Sequence, residues 1–224
     1  MRPLRIGTRG SQLALWQARA VATALENMGV CAELVTITTR GDARQDVPLT
    51  AIGGKGVFVK EIHEALLRGD IDLAVHSAKD MPAVAPEGLT IAATLPREDP
   101  RDALVLPAAP RKGVPCESGV PHDARIGTGS PRRIAQLRRR FPGATFEPIR
   151  GNVDTRLRKL DAGEVDVLVL ACAGLNRLGL ADRISRPLDV SECVPAPGQG
   201  IVAVEARRDD ARTLEILRAI DHGP

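Results

Sequence analysis

The chain has 224 residues, of which 43% are hydrophobic and 26% are charged, and it carries a formal net charge of +3. This length and composition predict one large or two small globular domains. The aromatic content of 2%, with no Tyr, argues against a single-strand nucleic-acid module, because such modules stack bases on aromatic rings. Since we find neither a signal-peptide pattern nor an apolar run that could span a bilayer, we expect a cytoplasmic protein without a membrane partner.

Short apolar runs alternate with amphipathic stretches along the chain, which is typical of an α/β protein. The pattern predicts strands over residues 4–8, 34–38 and 73–76, strands leaving the first lobe over 89–95 and 103–106, and a returning strand over 202–205. Ser11 is predicted to cap a helix that runs to about Met28 and stops at Gly29. Further helices are predicted over residues 58–67 and 210–220.

An internal repeat indicates two similar lobes. The sequence RIGT at residues 5–8 recurs at 125–128, followed each time by Gly, Ser and a predicted helix. A second pair keeps the same order, with GDIDLAV at 69–75 and GEVDVLV at 163–169. We therefore predict a first α/β lobe from residues 1–98 plus 201–224 and a second, arginine-rich lobe from 99–200. Ligands are expected in a cleft between the lobes, outside the carboxyl ends of the strands.

The basic residues are concentrated in one segment, whereas the cysteines are scattered along the chain. Residues 125–159 contain ten Arg and Lys side chains against only Glu147 and Asp154, which indicates a polyanionic partner. The three consecutive arginines at 138–140 end a predicted helix and are interpreted as a solvent-exposed face. The four cysteines lie far apart without metal-ligand spacing, so we expect reduced thiols and no metal site.

Three strand-to-helix junctions combine glycine with a hydroxyl or amide side chain and an arginine. They lie at residues 7–11, 127–133 and 150–152. Any one of them could simply cap a helix, but three together predict a carboxylate-binding site, because helix N-termini and arginine forks both bind carboxylates. Pro131 suits the first helical turn, where its missing N–H costs nothing.

Two further loops are candidates for chemistry. Asp80 follows Lys79 in the loop after a buried strand, where an ionised carboxylate could stabilise a developing cation, although a lone loop aspartate is commonly a turn former. His76 ends that strand and is interpreted as a structural histidine. The glycine-rich segment 51–58 is predicted to be a flexible flap rather than a nucleotide-binding loop, since Gly56 follows Lys55 where Ser or Thr is needed.

Several motifs in order carry a family resemblance. They are TRGS at 8–11 with LALWQA at 13–18, TRGD at 39–42, GGKG at 53–56 with FVKE at 58–61, HSAKD at 76–80, REDPRDA at 97–103, RGNV at 150–153 with TRL at 155–157, AGL at 173–175 and GQG at 198–200. On these motifs the chain resembles the porphobilinogen deaminase (hydroxymethylbilane synthase) family over essentially its whole length.

The resemblance implies both a fold and an activity. The fold would be two lobes like those of type II periplasmic binding proteins. The activity would be that of a transferase that condenses four porphobilinogen molecules stepwise, with loss of ammonia, in tetrapyrrole (heme) biosynthesis. The implied partners are porphobilinogen and linear oligopyrroles. The implied cofactor is dipyrromethane, held by a thioether to a cysteine of a third domain.

The resemblance also implies site residues. Asp80 would be the catalytic carboxylate, and the catalytic set would include Lys79, Arg9, Arg150, Arg156 and Arg177. The cofactor-binding set would be Ser11, Ser77, Lys79, Asp80, Thr128, Gly129, Ser130, Arg132, Arg133 and Arg150. Lys55 and Phe58 would belong to the flap, and Gln199 would lie near the hinge.

The chain departs from the family pattern in three respects. Pro131 stands where members commonly carry another residue, and Ala51 stands where some carry a basic one. None of the four cysteines lies in the expected Gly-Gly-Cys setting, so a separate third domain is a further candidate partner and we expect no sustained synthesis by this chain alone. The alternative function is a non-catalytic carboxylate-binding protein or an inactive fragment. Asp80 argues against a pure anion binder, which would gain nothing from a carboxylate in a basic cleft.

Overall fold

A computed structural model describes residues 2–39, 59–108, 116–117 and 120–223. The chain divides into two compact units, one formed by Met1–Glu98 with Ile201–Pro224 and the other by Asp99–Gly200. The predicted flap residues, Lys55 and Phe58, lie outside the described residues. Within the described ranges, no helix is both long and apolar enough to cross a membrane.

The first unit is a five-stranded sheet with helices on its faces. Its elements are β1 (Leu4–Thr8), α1 (Gln12–Glu26), β2 (Ala32–Thr36), α2 (Lys60–Arg68), β3 (Leu73–Ser77), a 3-10 turn (Ala78–Asp80), β4 (Leu89–Thr94), β12 (Val202–Arg207) and α6 (Ala211–Arg218). The strands lie in the order β2-β1-β3-β12-β4, with β1 parallel to β2 and β3, and β12 antiparallel to β3 and β4.

The local sequence explains where these helices begin and end. The Ser11 hydroxyl accepts a hydrogen bond from the Ala14 N–H, as predicted for the cap of α1. Gly69 takes a positive φ of 76° directly after α2, a conformation that costs glycine little. Helices α1 and α6 pack on a large apolar cluster, whereas α2 packs on a smaller one that includes Ile62, Leu66 and Ala74.

The second unit has its own five-stranded sheet. Its elements are β5 (Asp102–Val105), β6 (Cys116–Glu117), β7 (Val120–Pro121), β8 (Arg125–Gly127), α3 (Pro131–Arg140), β9 (Thr145–Glu147), α4 (Val153–Asp161), β10 (Val167–Ala171), α5 (Cys172–Arg177), a 3-10 turn (Ala181–Arg183) and β11 (Arg186–Pro187). The strands of the sheet lie in the order β11-β5-β10-β8-β9, in which β8, β9 and β10 are parallel and β5 runs antiparallel to β10 and β11.

The sequence repeat has the same structure in each unit. In the first, the Arg5 backbone N–H and guanidinium both donate to the Asp72 carboxylate, at 2.9–3.1 Å, and the guanidinium also donates to the Gly69 carbonyl. In the second, Arg125 makes the equivalent bonds to Asp166 and the Gly163 carbonyl. The two copies of RIGT lie in different sheets, and each pairs in parallel with the strand of the second repeat segment.

Several predicted boundaries need correction. The strand predicted over residues 34–38 lies at Ala32–Thr36, and the helix predicted over 58–67 is described over Lys60–Arg68. The strand predicted over 89–95 does not leave the first unit, because β4 pairs with β12 as an edge strand of the first sheet. The strand predicted over 103–106 starts one residue earlier, since the buried Asp102 side chain has interior partners.

Candidate functional site

The first unit gathers five predicted site residues at the carboxyl edge of its parallel strands. Arg9 and Ser11 follow β1, whereas Ser77 ends β3 and leads into the 3-10 turn that carries Lys79 and Asp80. Because β1 and β3 are parallel neighbours, their carboxyl ends meet at one edge. The topology therefore brings both loops to the same end of the first sheet.

A buried hydrogen bond links the two loops. The Gln17 amide, which is buried on α1, donates to the Ser77 hydroxyl at 2.8 Å. This bond connects the helix after β1 with the end of β3. The side chain of Asp80, three residues farther along, is exposed, and Lys79 is half-buried. The carboxylate thus stands at the surface of the unit on a turn whose base is fixed.

The second unit has a corresponding edge, at the carboxyl ends of β8 and β9. Thr128 is buried, and its hydroxyl accepts from the Ser130 N–H at 3.2 Å. Ser130 caps α3, and Gly129 between them is exposed. A Cβ added at Gly129 would lie 3.8 Å from the Ile149 carbonyl oxygen, an ordinary van der Waals distance, so a ligand could approach this backbone closely. A helix N-terminus with hydroxyls and an open backbone is suited to an anion.

Arg150 and Arg156 belong to the loop and helix that follow β9. Both are half-buried. The Arg156 Nε donates to the Gly151 carbonyl at 2.8 Å, and Gly151 has a φ of 109°, which a residue with a side chain rarely adopts. The RGN segment is therefore held in a conformation that requires glycine.

Arg132 and Arg133 contact a buried carboxylate in the second unit. Asp102 is fully buried on β5 and accepts from Arg132 at 2.7 Å and from Arg133 at 2.7 and 3.1 Å. Burial acts to raise the pKa of Asp102, but the Arg133 charge and the hydrogen bonds it receives hold that pKa below its ordinary value. Arg133 also donates to the Val169 carbonyl, so its guanidinium is directed into the unit.

Two other predicted site residues also bond within the second unit. The Arg177 guanidinium is buried and donates to the Gly200 carbonyl at 2.7 Å. The Gln199 amide donates to the Pro100 carbonyl at 2.7 Å and to Asp102 at 2.9 Å. Gln199, near the end of the unit, is thereby bonded to residues near its beginning. The catalytic role of Arg177 and the hinge role of Gln199 stay predictions.

The sequence is similar to those of known proteins over nearly its whole length. The family model described as porphobilinogen deaminase, dipyromethane cofactor binding domain, matches residues 4–215. The chain belongs to the porphobilinogen deaminase family. Porphobilinogen deaminase of Acidithiobacillus ferrooxidans is 51% identical over 96% of this chain and 69% of the relative. That of Syntrophotalea carbinolica is 53% identical over 96% of this chain and 67% of the relative.

Solved structures support the fold. The methionine-binding protein MetQ matches with a TM-score of 0.59 at 13% identity, covering 97% of this chain and 89% of MetQ. The periplasmic VFT2 domain of Bordetella pertussis BvgS matches with a TM-score of 0.53 at 16% identity, covering 97% of this chain and 86% of the other. The prediction of a type II periplasmic-binding-protein-like α/β fold is confirmed.

Family membership makes the chain a transferase of porphyrin and heme biosynthesis that acts on porphobilinogen and has a dipyrromethane-binding domain. The residues present fit this cofactor, whose acetate and propionate groups are anionic. The exposed Gly129 backbone and the N-terminus of α3 can accept such groups, and Arg150 lies on the loop after the neighbouring strand β9. The predictions of family, function and cofactor are confirmed, whereas the assignment of individual residues stays a prediction.

Sequence reasoning missed two residues that shape these edges. Gln17 lies in the LALWQA motif, where its side chain reads as part of an amphipathic helix. Asp102 lies in the REDPRDA motif, where it reads as a loop residue before a strand. An alternative signal was available for Asp102, since an acidic residue opening an apolar strand must find a cation when it is buried.

Proposed function

We propose that Asp80 is the catalytic carboxylate of a hydroxymethylbilane synthase reaction on porphobilinogen and linear oligopyrroles. The observation that carries the proposal is an exposed carboxylate at the end of β3, on a turn whose base is fixed by the Gln17–Ser77 hydrogen bond. Loss of ammonia from porphobilinogen leaves positive charge on the pyrrole and its methylene carbon. A fixed carboxylate stabilises that charge and accepts a hydrogen bond from the pyrrole N–H.

Arginines and backbone amides supply the complementary anion sites. Each pyrrole of the substrate carries two carboxylates, so binding requires cations and N–H donors on the loops. We assign this role to Arg9, Ser11 and Lys79 on the first unit and to the 128–130 loop, Arg150 and Arg156 on the second. When bound, the dipyrromethane supplies the pyrrole to which substrate is joined.

The buried arginines have a different role in this proposal. The bonds of Arg133 to Asp102 and of Arg177 to Gly200 favour positioning over direct contact with substrate. Arg132 donates to Asp102 through one terminal nitrogen and to the Val194 carbonyl through the other, and its side chain is partly exposed. We therefore assign Arg132, Arg133 and Arg177 to holding the loops in place.

Asp80→Asn in the full-length, cofactor-loaded protein tests the catalytic assignment. We expect kcat for hydroxymethylbilane, trapped as uroporphyrin, to fall by about 10²–10⁴-fold, because the amide keeps the shape but lacks the charge. Asp70→Asn is the matched control, since Asp70 is exposed in the same unit and forms an ion pair with Arg68 at the surface. Unchanged kcat in Asp80→Asn would favour the carboxylate-binding alternative, in which Asp80 is a turn former.

Arg150→Ala tests the binding assignment. A charged hydrogen bond is typically worth about 1.5–3 kcal/mol, so the affinity for a dipyrromethane carboxylate should fall by about 10–150-fold in calorimetry. Arg139→Ala, at the exposed end of α3, removes the same charge away from the strand ends and should leave the affinity within about twofold. Equal losses in both variants would indicate general charge attraction instead of a built site.

A further inference from the structure

The first unit contains a second polar cluster, formed by His63, His76 and Glu205. His63 lies on α2, His76 on β3 and Glu205 on β12. All three residues are buried, with Glu205 fully so. The cluster packs among apolar residues of the face that α2 covers, including Ile62 and Ala74. Because a buried carboxylate is costly without compensation, this cluster calls for an explanation.

The strand register places the cluster on one face of the sheet. Ala203 pairs with His76 across the antiparallel strands β12 and β3. Glu205 is two residues beyond Ala203, so its side chain shares the face of His76 at a diagonal position. Helix α2 packs on these strands and supplies His63 from above. Three separate elements thus direct nitrogen and oxygen atoms to one point.

The distances match a metal-ligand set. The Glu205 Oε2 lies 3.0 Å from the His63 Nε2 and 3.6 Å from the His76 Nε2, and the candidate ligand atoms of the three residues all lie within 4.8 Å of one another. Tetrahedral coordination with bonds of about 2.0–2.1 Å places ligand atoms about 3.3 Å apart. Both Nε2 atoms and both carboxylate oxygens lack a hydrogen bond of normal geometry within the described part of the chain.

We propose that His63, His76 and Glu205 bind a divalent transition-metal ion of the Zn²⁺ class through both Nε2 atoms and the carboxylate. Two imidazoles and one carboxylate are ligands that zinc takes in proteins, with a further position left for water. Mg²⁺ and Ca²⁺ are disfavoured, because they select oxygen ligands. The ion offsets the charge of the buried Glu205 carboxylate.

The site joins α2, β3 and β12 and is independent of the proposed reaction. His76 immediately precedes Ser77, which begins the turn that carries Asp80. An ion at this site therefore stabilises the strand from which that turn emerges. The sequence predicts no metal site, because its cysteines lie far apart and these three ligands are distant from one another along the chain.

Cobalt substitution tests the site in the full-length protein. After chelator treatment and dialysis, one equivalent of Co²⁺ should produce the visible d–d bands of a four-coordinate ion, and Zn²⁺ should abolish them. Zn²⁺ at about one hundred times its dissociation constant should also raise the thermal midpoint by about 5–10 °C. His63→Gln and His76→Gln should lose both effects, whereas His122→Gln, which changes an exposed histidine of the second unit, should retain both.

Two results would overturn the proposal. One is a wild-type protein that gives no visible cobalt bands and no zinc-dependent shift, which would leave the cluster as a buried ion pair. The other is retention of the bands in both His63→Gln and His76→Gln. Circular dichroism establishes whether each variant is folded. If a histidine variant does not fold, Glu205→Gln and the wild-type titration decide the question, because the cobalt spectrum requires no variant.

Discussion

Asp102→Asn removes one charge from the interior of the second unit and leaves the side-chain shape almost unchanged. The carboxylate is fully buried and accepts hydrogen bonds from Arg132, Arg133 and Gln199 at 2.7–3.1 Å. In the variant, the Arg133 guanidinium, whose side chain is 9% exposed, faces a neutral amide. The side-chain amide of Asp102→Asn places an NH₂ donor where the carboxylate had an acceptor oxygen, so at least one hydrogen bond from the neighbouring arginines or Gln199 is also lost.

The expected cost is large. Removing one partner of a buried ion pair typically costs about 3–5 kcal/mol, because the remaining charge stays buried without compensation. That is a substantial share of the roughly 5–15 kcal/mol by which domains are stable. We therefore expect Asp102→Asn to lower the free energy of unfolding of the second unit by about 3–5 kcal/mol. Arg133→Met in the same protein should recover part of this loss, because it removes the uncompensated cation.

Urea titration followed by circular dichroism, with hydrogen exchange of the amides in 99–200, measures this change. Asp154→Asn is the control, since Asp154 is half-exposed and 4.0 Å from Arg158 on the surface of α4, where a pair is worth under about 0.5 kcal/mol. A loss below about 1 kcal/mol in Asp102→Asn would show that the Asp102 cluster is not a stabilising ion pair. If the double variant Asp102→Asn/Arg133→Met regains no stability over Asp102→Asn, the loss has a cause other than the uncompensated cation.

Three further predictions concern pH, backbone conformation and thiol reactivity. Burial acts to raise the pKa of Asp72, but its arginine hydrogen bonds lower that pKa to about 2. The ionised carboxylate should therefore add about 2 kcal/mol to the free energy of unfolding at neutral pH, and this contribution should fade as pH falls from about 4 through 2. The urea midpoints of Asp72→Asn should lack this pH dependence. Gly151→Ala should lower the free energy of unfolding by more than about 1 kcal/mol and displace Arg156. The reason is that Gly151 has a φ of 109° and that an added Cβ would lie 2.7 Å from a side-chain carbon of α4. An unshifted thermal midpoint would contradict this expectation. Burial raises the pKa of Cys193 to about 11, so alkylation with peptide mapping at pH 8 should modify the exposed Cys31 first, and equal rates would refute the expectation.

Local signals made much of the fold predictable. Ser11 caps α1 through a side-chain bond to a residue three positions away, and the strand over residues 4–8 was fixed by its own apolar pattern. The repeat was predictable because the Arg5–Asp72 pair and its counterpart in the second unit keep their spacing from the strands that they join. Sequence proximity or repetition carries these features.

Long-range pairing could not be predicted in the same way. Asp102 is recognised as an interior residue only when Arg133 and Gln199 are seen to meet it, from 31 and 97 residues away. His63 and Glu205 likewise meet only because β12 returns to the first sheet beside β3. Taken by itself, a histidine on an amphipathic helix is readily interpreted as a surface residue, and a glutamate in an apolar strand as an edge residue. Their partners are set by topology, which residue patterns do not specify.

The arginine count of the segment 125–159 illustrates how structure changes a charge argument. The sequence treats its ten basic residues as one polyanion-binding surface, yet Arg125 donates to Asp166 and Arg133 to Asp102. Both guanidinium groups therefore act mainly within the second unit, and a count of all ten basic residues overestimates the attraction for carboxylates. Arg150 differs, because it follows β9 at the carboxyl edge of the parallel strands, where ligands bind in such sheets. We therefore expect position relative to strand ends to predict carboxylate binding better than charge density does, and the comparison of Arg150→Ala with Arg139→Ala measures that difference directly.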